Sequence, residues 1–155
     1  MNTKQLENTI ISYKLNNISI RRFSLIEPAL DITSDFNLKN LNLAFNLSYA
    51  ILKEQNIFQT QLTVVNNYML NNRIIKLIEL ALVCDFEIKN LSSFIQMANE
   101  KFILPDDLLT TLVGITYSTA RGIIFSKTQG SFLNQFILPV IDSKALIQST
   151  MNKNM

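Results

Sequence analysis

Residues 41 to 51 read LNLAFNLSYAI, and this stretch limits the fold more than any other. Leu41, Leu43, Phe45, Leu47, Tyr49 and Ile51 alternate with Asn42, Ala44, Asn46, Ser48 and Ala50. Side chains on a strand point to opposite faces with period two, so this pattern specifies a strand with one buried face. Such a strand needs partners for its backbone groups. The chain supplies them. KEQN at 53–56 makes a turn, and IFQTQLTVV then places Phe58, Thr60, Leu62 and Val64 on one face. NNYMLNN reads as a second polar connection. RIIKLIELALVCDFEI follows, with Ile78, Leu80, Leu82, Cys84, Phe86 and Ile88 on one side and Ile75, Leu77, Glu79, Ala81, Val83 and Asp85 on the other. Apolar residues on both faces predict a central position or an intersubunit contact for this strand. A fourth strand is expected before these three, from Ile18 toward Leu30 and ending near Pro28, with Arg21 and Arg22 on a solvated edge. The expectation is an antiparallel meander.

The period changes after Pro105. A short helix is expected within Lys89–Lys101. Beyond Asp107, the residues Leu108, Leu109, Leu112, Val113, Ile115, Ala120, Ile123 and Ile124 fit a helical repeat, with Asp107 as N-cap and Gly130 as the stop. All 3 glycines of the chain lie here, at 114, 122 and 130. Gly114, Ser118 and Gly122 fall at four-residue steps on one helix face. A helical glycine costs about 1 kcal/mol relative to alanine, so a small-residue stripe predicts close packing, by this chain or by another subunit. Arg121 interrupts the tract and argues against a membrane helix pair; no run of about 18 apolar residues is present, so no membrane span is expected. After Pro139, Asp142 or Ser143 caps a short final helix.

Composition narrows the function. There is no histidine and one cysteine, Cys84, in 155 residues. That removes a Ser–His–Asp triad, a Cys–His pair, His-based zinc sites and internal disulfides, and a reducing, cytoplasmic setting is expected. No phosphate-binding glycine loop occurs, and no cofactor is expected. Asp106 and Asp107 read as helix-start residues favoured by the dipole rather than as an acid–base pair. A net charge of +2, with no basic cluster, does not suggest nucleic-acid binding. Hydrophobic residues make up 48% and charged residues 17%, enough apolar material to leave an interaction surface exposed after a core is filled.

The C-terminal third, YSTARGIIFSKTQGSFLNQFILPVIDSKAL, resembles SecB, the bacterial protein-export chaperone family. The matching residues are Tyr117, Ala120 and Arg121 on the long helix, then Gly130, Ser131 and Phe132, then Leu138, Pro139, Asp142, Ala145 and Leu146. LIELALVCDFEI resembles the family's fourth strand. The resemblance spans residues 18 to 148, with 1–17 as an N-terminal arm and 149–155 as a polar tail. It implies an α+β fold: a four-stranded antiparallel sheet, a long helix and a short C-terminal helix. It implies a homotetramer, a dimer of dimers, with long helices packed between dimers, which gives Gly114, Ser118 and Gly122 an intersubunit role.

The resemblance further implies a non-enzymatic holdase that binds unfolded preproteins in apolar grooves and hands them to SecA, with Leu77 and Glu79 at SecA-contacting positions. Phe45, Tyr49, Phe58, Leu62 and Tyr68 are groove candidates, with ordinary core as their alternative. Two features depart from the family pattern: the chain is weakly basic, and its tail, QSTMNKNM, has no acid. The alternatives are a SecB-like chaperone dedicated to an antitoxin, and a structural domain that only oligomerises.

Overall fold

The computed structural model describes residues 11–27, 36–98 and 101–151. Four long strands, β1 (Tyr13–Leu25), β2 (Leu41–Leu52), β3 (Ile57–Leu70) and β4 (Arg73–Ile88), form one antiparallel sheet. They are followed by a single-turn helix α1 (Leu91–Phe94), a small strand pair β5 (Gln96–Ala98) and β6 (Lys101–Ile103), the long helix α2 (Asp106–Lys127), and α3 (Ser143–Met151).

β2, β3 and β4 form the expected meander, and β4 is central. The first strand departs from expectation, because the sheet order is β1-β4-β3-β2. β1 pairs with β4, from Tyr13↔Ile88 to Leu25↔Ile78, and the link to β2 must cross to the far edge. The topology is therefore a Greek key. β1 also starts at Tyr13 rather than Ile18 and ends at Leu25, which takes residues 13–17 out of the expected arm; Pro28 and residues 1–10 and 152–155 lie outside the described residues. The turns have a clear origin. Asn56, Asn71, Asn72 and Asn90 all take positive φ, which asparagine tolerates better than other side-chain-bearing residues. NNYML, expected to be a connection, instead continues β3, and the hairpin turn tightens to Asn71–Asn72.

The core lies between one sheet face and the two helices. β3 contributes Phe58, Leu62, Val64 and Tyr68, and β4 contributes Ile78, Leu80, Leu82, Phe86 and Ile88. Helix α2 buries Leu108, Leu112, Val113, Thr116, Tyr117, Ala120 and Ile124 against them. By length and composition the 22-residue α2 is long and apolar enough to cross a membrane, although polar residues interrupt its apolar run. Here its apolar stripe packs on the sheet. Pro105, not Asp107, precedes its first turn, which Asp106 and Asp107 make acidic.

The helix ends at Lys127, and Gly130 at φ +80° carries the reversal that follows. The returning segment is held by the Tyr117 hydroxyl, which donates to the Pro139 carbonyl at 2.6 Å. Leu138 is buried. Asp142 caps α3 by accepting the Lys144 N–H at 2.9 Å.

Candidate functional site

The helices do not cover the whole apolar face of the sheet. α2 packs on β3 and β4, and α3 packs on α2 and β2. β1 lies beyond this cover. Its register with β4 places Tyr13, Leu15, Ile18, Ile20, Phe23 and Leu25 on the same face as the core residues Ile88, Phe86, Cys84, Leu82, Leu80 and Ile78. Yet Tyr13 is 38% exposed, Leu15 37%, and Ile18 and Ile20 45% each. They form an apolar shelf continuous with the core. At one end, Lys127 reaches over the Phe23 ring, 6.0 Å from its centre.

Alternation does not reveal this shelf, because two register shifts, at Leu15/Asn17 and Ile20/Arg22, break it. The apolar residues recur at steps of three and two instead of two throughout. A bulge inserts one residue and re-aims its neighbours, so the broken period is itself the signal.

A second strip, only partly covered by α3, lies along β2. Leu47 is buried, but Leu41, Leu43, Phe45, Tyr49 and Ile51 are only half-buried against the core. Phe45 meets Tyr117 edge-on at 5.8 Å, and Tyr49 stacks on Phe58 at 5.7 Å. The Tyr49 hydroxyl has no hydrogen-bond partner among the described residues, and burial pushes its pKa up to about 12.

Of the five groove candidates, then, Phe45 and Tyr49 line an accessible rim. Phe58, Leu62 and Tyr68 are core, each at most 3% exposed. Tyr68 stacks on Phe36 and accepts a hydrogen bond from the Asn37 N–H at 3.1 Å.

Leu77 and Glu79 part company. The β3–β4 ladder slips between Asn66 and Asn67, so that Asn66 faces Ile78 and Asn67 faces Lys76. Leu77 is the extra residue of this bulge, and at 1% exposure it belongs to the core, not the sheet surface where the resemblance placed it. Glu79 does lie on the opposite sheet face. Its carboxylate is engaged by Lys76 at 2.8 Å and Arg22 at 3.2 Å, and the Lys76 hydrogen bond is the largest cause of a lowered pKa. It clamps β1 to β4.

The small-residue stripe also divides. A Cβ at Gly114 would meet the Ser143 Oγ at 3.1 Å, so Gly114 makes room for the start of α3 within the chain. Ser118 is exposed, and a Cβ at Gly122 would meet nothing within 4 Å. From Thr110 to Ser126 the only charge is Arg121. The exposed residues of α2 within this stretch, Thr111, Ser118, Gly122, Phe125 and Ser126, are uncharged, with Asp107 one turn before them and half-buried Arg121 at their flank. A solvated helix face ordinarily carries more charge than this, so its middle turns suit a partner.

Beneath α2, the Thr60 and Thr116 hydroxyls hydrogen-bond to each other, and Thr116 also donates to the Leu112 carbonyl at 2.9 Å. Cys84 is fully buried beside this pair, and desolvation raises its thiol pKa. Among the described residues no three His, Cys, Asp or Glu side chains gather as metal ligands.

This architecture is a SecB-like fold, with a four-stranded antiparallel sheet backed by a long helix and a short C-terminal one. One solved structure with this fold is the Rv1957 SecB-like chaperone of Mycobacterium tuberculosis in complex with a ChAD peptide from the Rv1956 HigA1 antitoxin. It superposes with a TM-score of 0.52 at 13% identity, over 83% of this chain and 90% of that one. A protein of unknown function from Streptococcus agalactiae gives a TM-score of 0.44 at 9% identity, over 86% and 99%. No protein-family model and no curated protein matches the sequence.

Proposed function

We propose that this chain is a SecB-like chaperone, a cytoplasmic holdase that takes up non-native polypeptides in apolar grooves and has no catalytic role. The observation that carries this reading is the sheet face that outruns its helical cover, with large apolar side chains exposed along β1 and half-buried along β2. Burial of apolar surface stabilises a complex by roughly 25 cal/mol per Å², so even a partial groove gives an unfolded segment a reason to bind and a folded protein none. The chain assembles as a homotetramer, a dimer of dimers. The β1 shelf is the surface a second copy covers, and the charge-poor middle of the outward α2 face packs between dimers.

Two fates of the client follow. In one, preproteins are kept export-competent and passed to SecA. In the other, the chain serves a dedicated client such as an antitoxin. A specific observation favours the second. Leu77 is in the core and Glu79 is already neutralised by Arg22 and Lys76, which leaves neither free to contact a basic partner. The bound antitoxin peptide in the Mycobacterium tuberculosis structure supports the same choice.

The test is native mass spectrometry of the chain with a secretory precursor, supplied unfolded or folded. The expected result is a tetramer that binds the unfolded form alone. A chain that ignores both forms at micromolar concentration overturns the reading.

A further inference from the structure

The two edges of the sheet are built in opposite ways. β1 carries Lys14, Arg21 and Arg22 and two bulges. Charge and bulges are the standard means by which a protein stops a foreign strand from pairing with its edge. β2, the other edge, has none of these. Its 12 residues, Leu41 to Leu52, contain no charge and no proline, and they pair with β3 in one unbroken register from Leu41↔Tyr68 to Leu52↔Ile57. Among the described residues no strand pairs with the other side of β2. In an antiparallel edge strand about half of the N–H and C=O groups point away from the partner, so β2 presents a straight, uncharged ladder of backbone donors and acceptors.

We propose that this edge receives the client, as an added strand. The proposal rests on the holdase reading and specifies how it operates. The occupant is an extended, uncharged segment of a partner polypeptide with alternating apolar and small side chains. Its backbone completes the β2 ladder. Its apolar side chains lie over Leu43, Phe45, Tyr49 and Ile51, whose half-buried state leaves them a free flank. Its other side chains lie beside Asn42, Ala44, Asn46, Ser48 and Ala50, which are short enough to admit almost any neighbour. Main-chain pairing accepts many sequences, and a charge laid over the apolar residues of β2 would be desolvated without a partner, which disfavours charged segments.

A second copy of the chain fits this edge less well. A strand added here buries apolar side chains on one face only, whereas lasting self-interfaces are large and apolar. The shelf on β1 offers more.

The probe is a blocked ten-residue peptide alternating valine and threonine, with two variants N-methylated at odd or at even positions. One variant should bind at least about tenfold more weakly, since each lost main-chain bond is worth about 1 kcal/mol, while the other binds like the parent. Hydrogen exchange should show protection of residues 41–52 on binding, and the double variant Asn46→Lys/Ser48→Lys, on exposed positions, should remove that protection with the fold retained. Equal binding of both methylated peptides overturns the proposal, as does protection confined to 13–25. Protection of 41–52 that rises with chain concentration, without peptide, assigns the edge to a second copy and also overturns it. Capture of an unfolded precursor without protection at 41–52 defeats this proposal alone; capture of neither peptide nor precursor defeats the holdase reading as well.

Discussion

At the residue scale, polar groups placed within the apolar layers fix how those layers meet. Thr60 on β3 and Thr116 on α2 satisfy each other under full burial. Thr116→Val should lower stability by about 1–3 kcal/mol, because it leaves the Thr60 hydroxyl desolvated and unpaired. Thr60→Val/Thr116→Val removes both groups with little change of shape and should be more stable than the sum of the single variants. Urea unfolding of the four proteins measures the coupling. Glu79 acts on the opposite face. Its folded pKa lies below the ordinary value of 4.5, so its stabilising contribution is present at neutral pH and is lost as pH falls through the folded pKa. Glu79→Gln should therefore lower the urea midpoint at pH 7. The difference from wild type should shrink steadily as the pH is taken below the carboxylate range, and a constant difference would remove Glu79 from the clamp.

At the element scale, the outward face of α2 sets the next expectation. Gly122 has open space above it, so Gly122→Leu fits the isolated chain and adds helix propensity. If dimers meet across this face, the same change should reduce the native mass from tetramer to dimer without lowering the thermal midpoint of the dissociated protein. Unchanged mass removes the helix from the interface. What the sequence made legible follows the same division between elements. β2 and the two longer helices were readable because each keeps one period along its length, and most of β3 and β4 because theirs is interrupted only at the bulge that holds Leu77. β1 was half-read because two bulges shift its faces. Leu77 was misplaced for the same reason, since the bulge opposite Asn66 and Asn67 turns it inward. The pairing of β1 with β4 was not legible at all, because strand order depends on a long crossover that leaves no mark in local periodicity. Of the site, Phe45, Tyr49 and Gly122 stand where a partner can reach them, whereas the exposure of Ile18 and Ile20 depends on where the helices stop.

At the scale of the whole molecule, the uncovered shelf predicts self-association. Ile18→Asp and Ile20→Asp alter side chains that are nearly half exposed, so the single chain should lose little stability. They should nevertheless weaken dimers strongly, because a carboxylate buried in an apolar interface without a partner is costly. Analytical ultracentrifugation across a range of concentrations reads this directly, and wild-type sedimentation of both variants would exclude β1 from the assembly. The Greek-key order also governs the birth of the protein. β1 is the first described strand to be synthesised, yet its partner β4 ends at Ile88, 63 residues after Leu25. At a translation rate of about 5–20 residues per second, β1 waits roughly 3–13 s for that partner to be made. Throughout that interval Leu15, Ile18, Ile20 and Phe23 have no sheet to join. A nascent copy of this chain thus exposes an apolar extended segment before its partner exists, and the charges of Lys14, Arg21 and Arg22 keep that segment off the uncharged β2 edge of a finished copy.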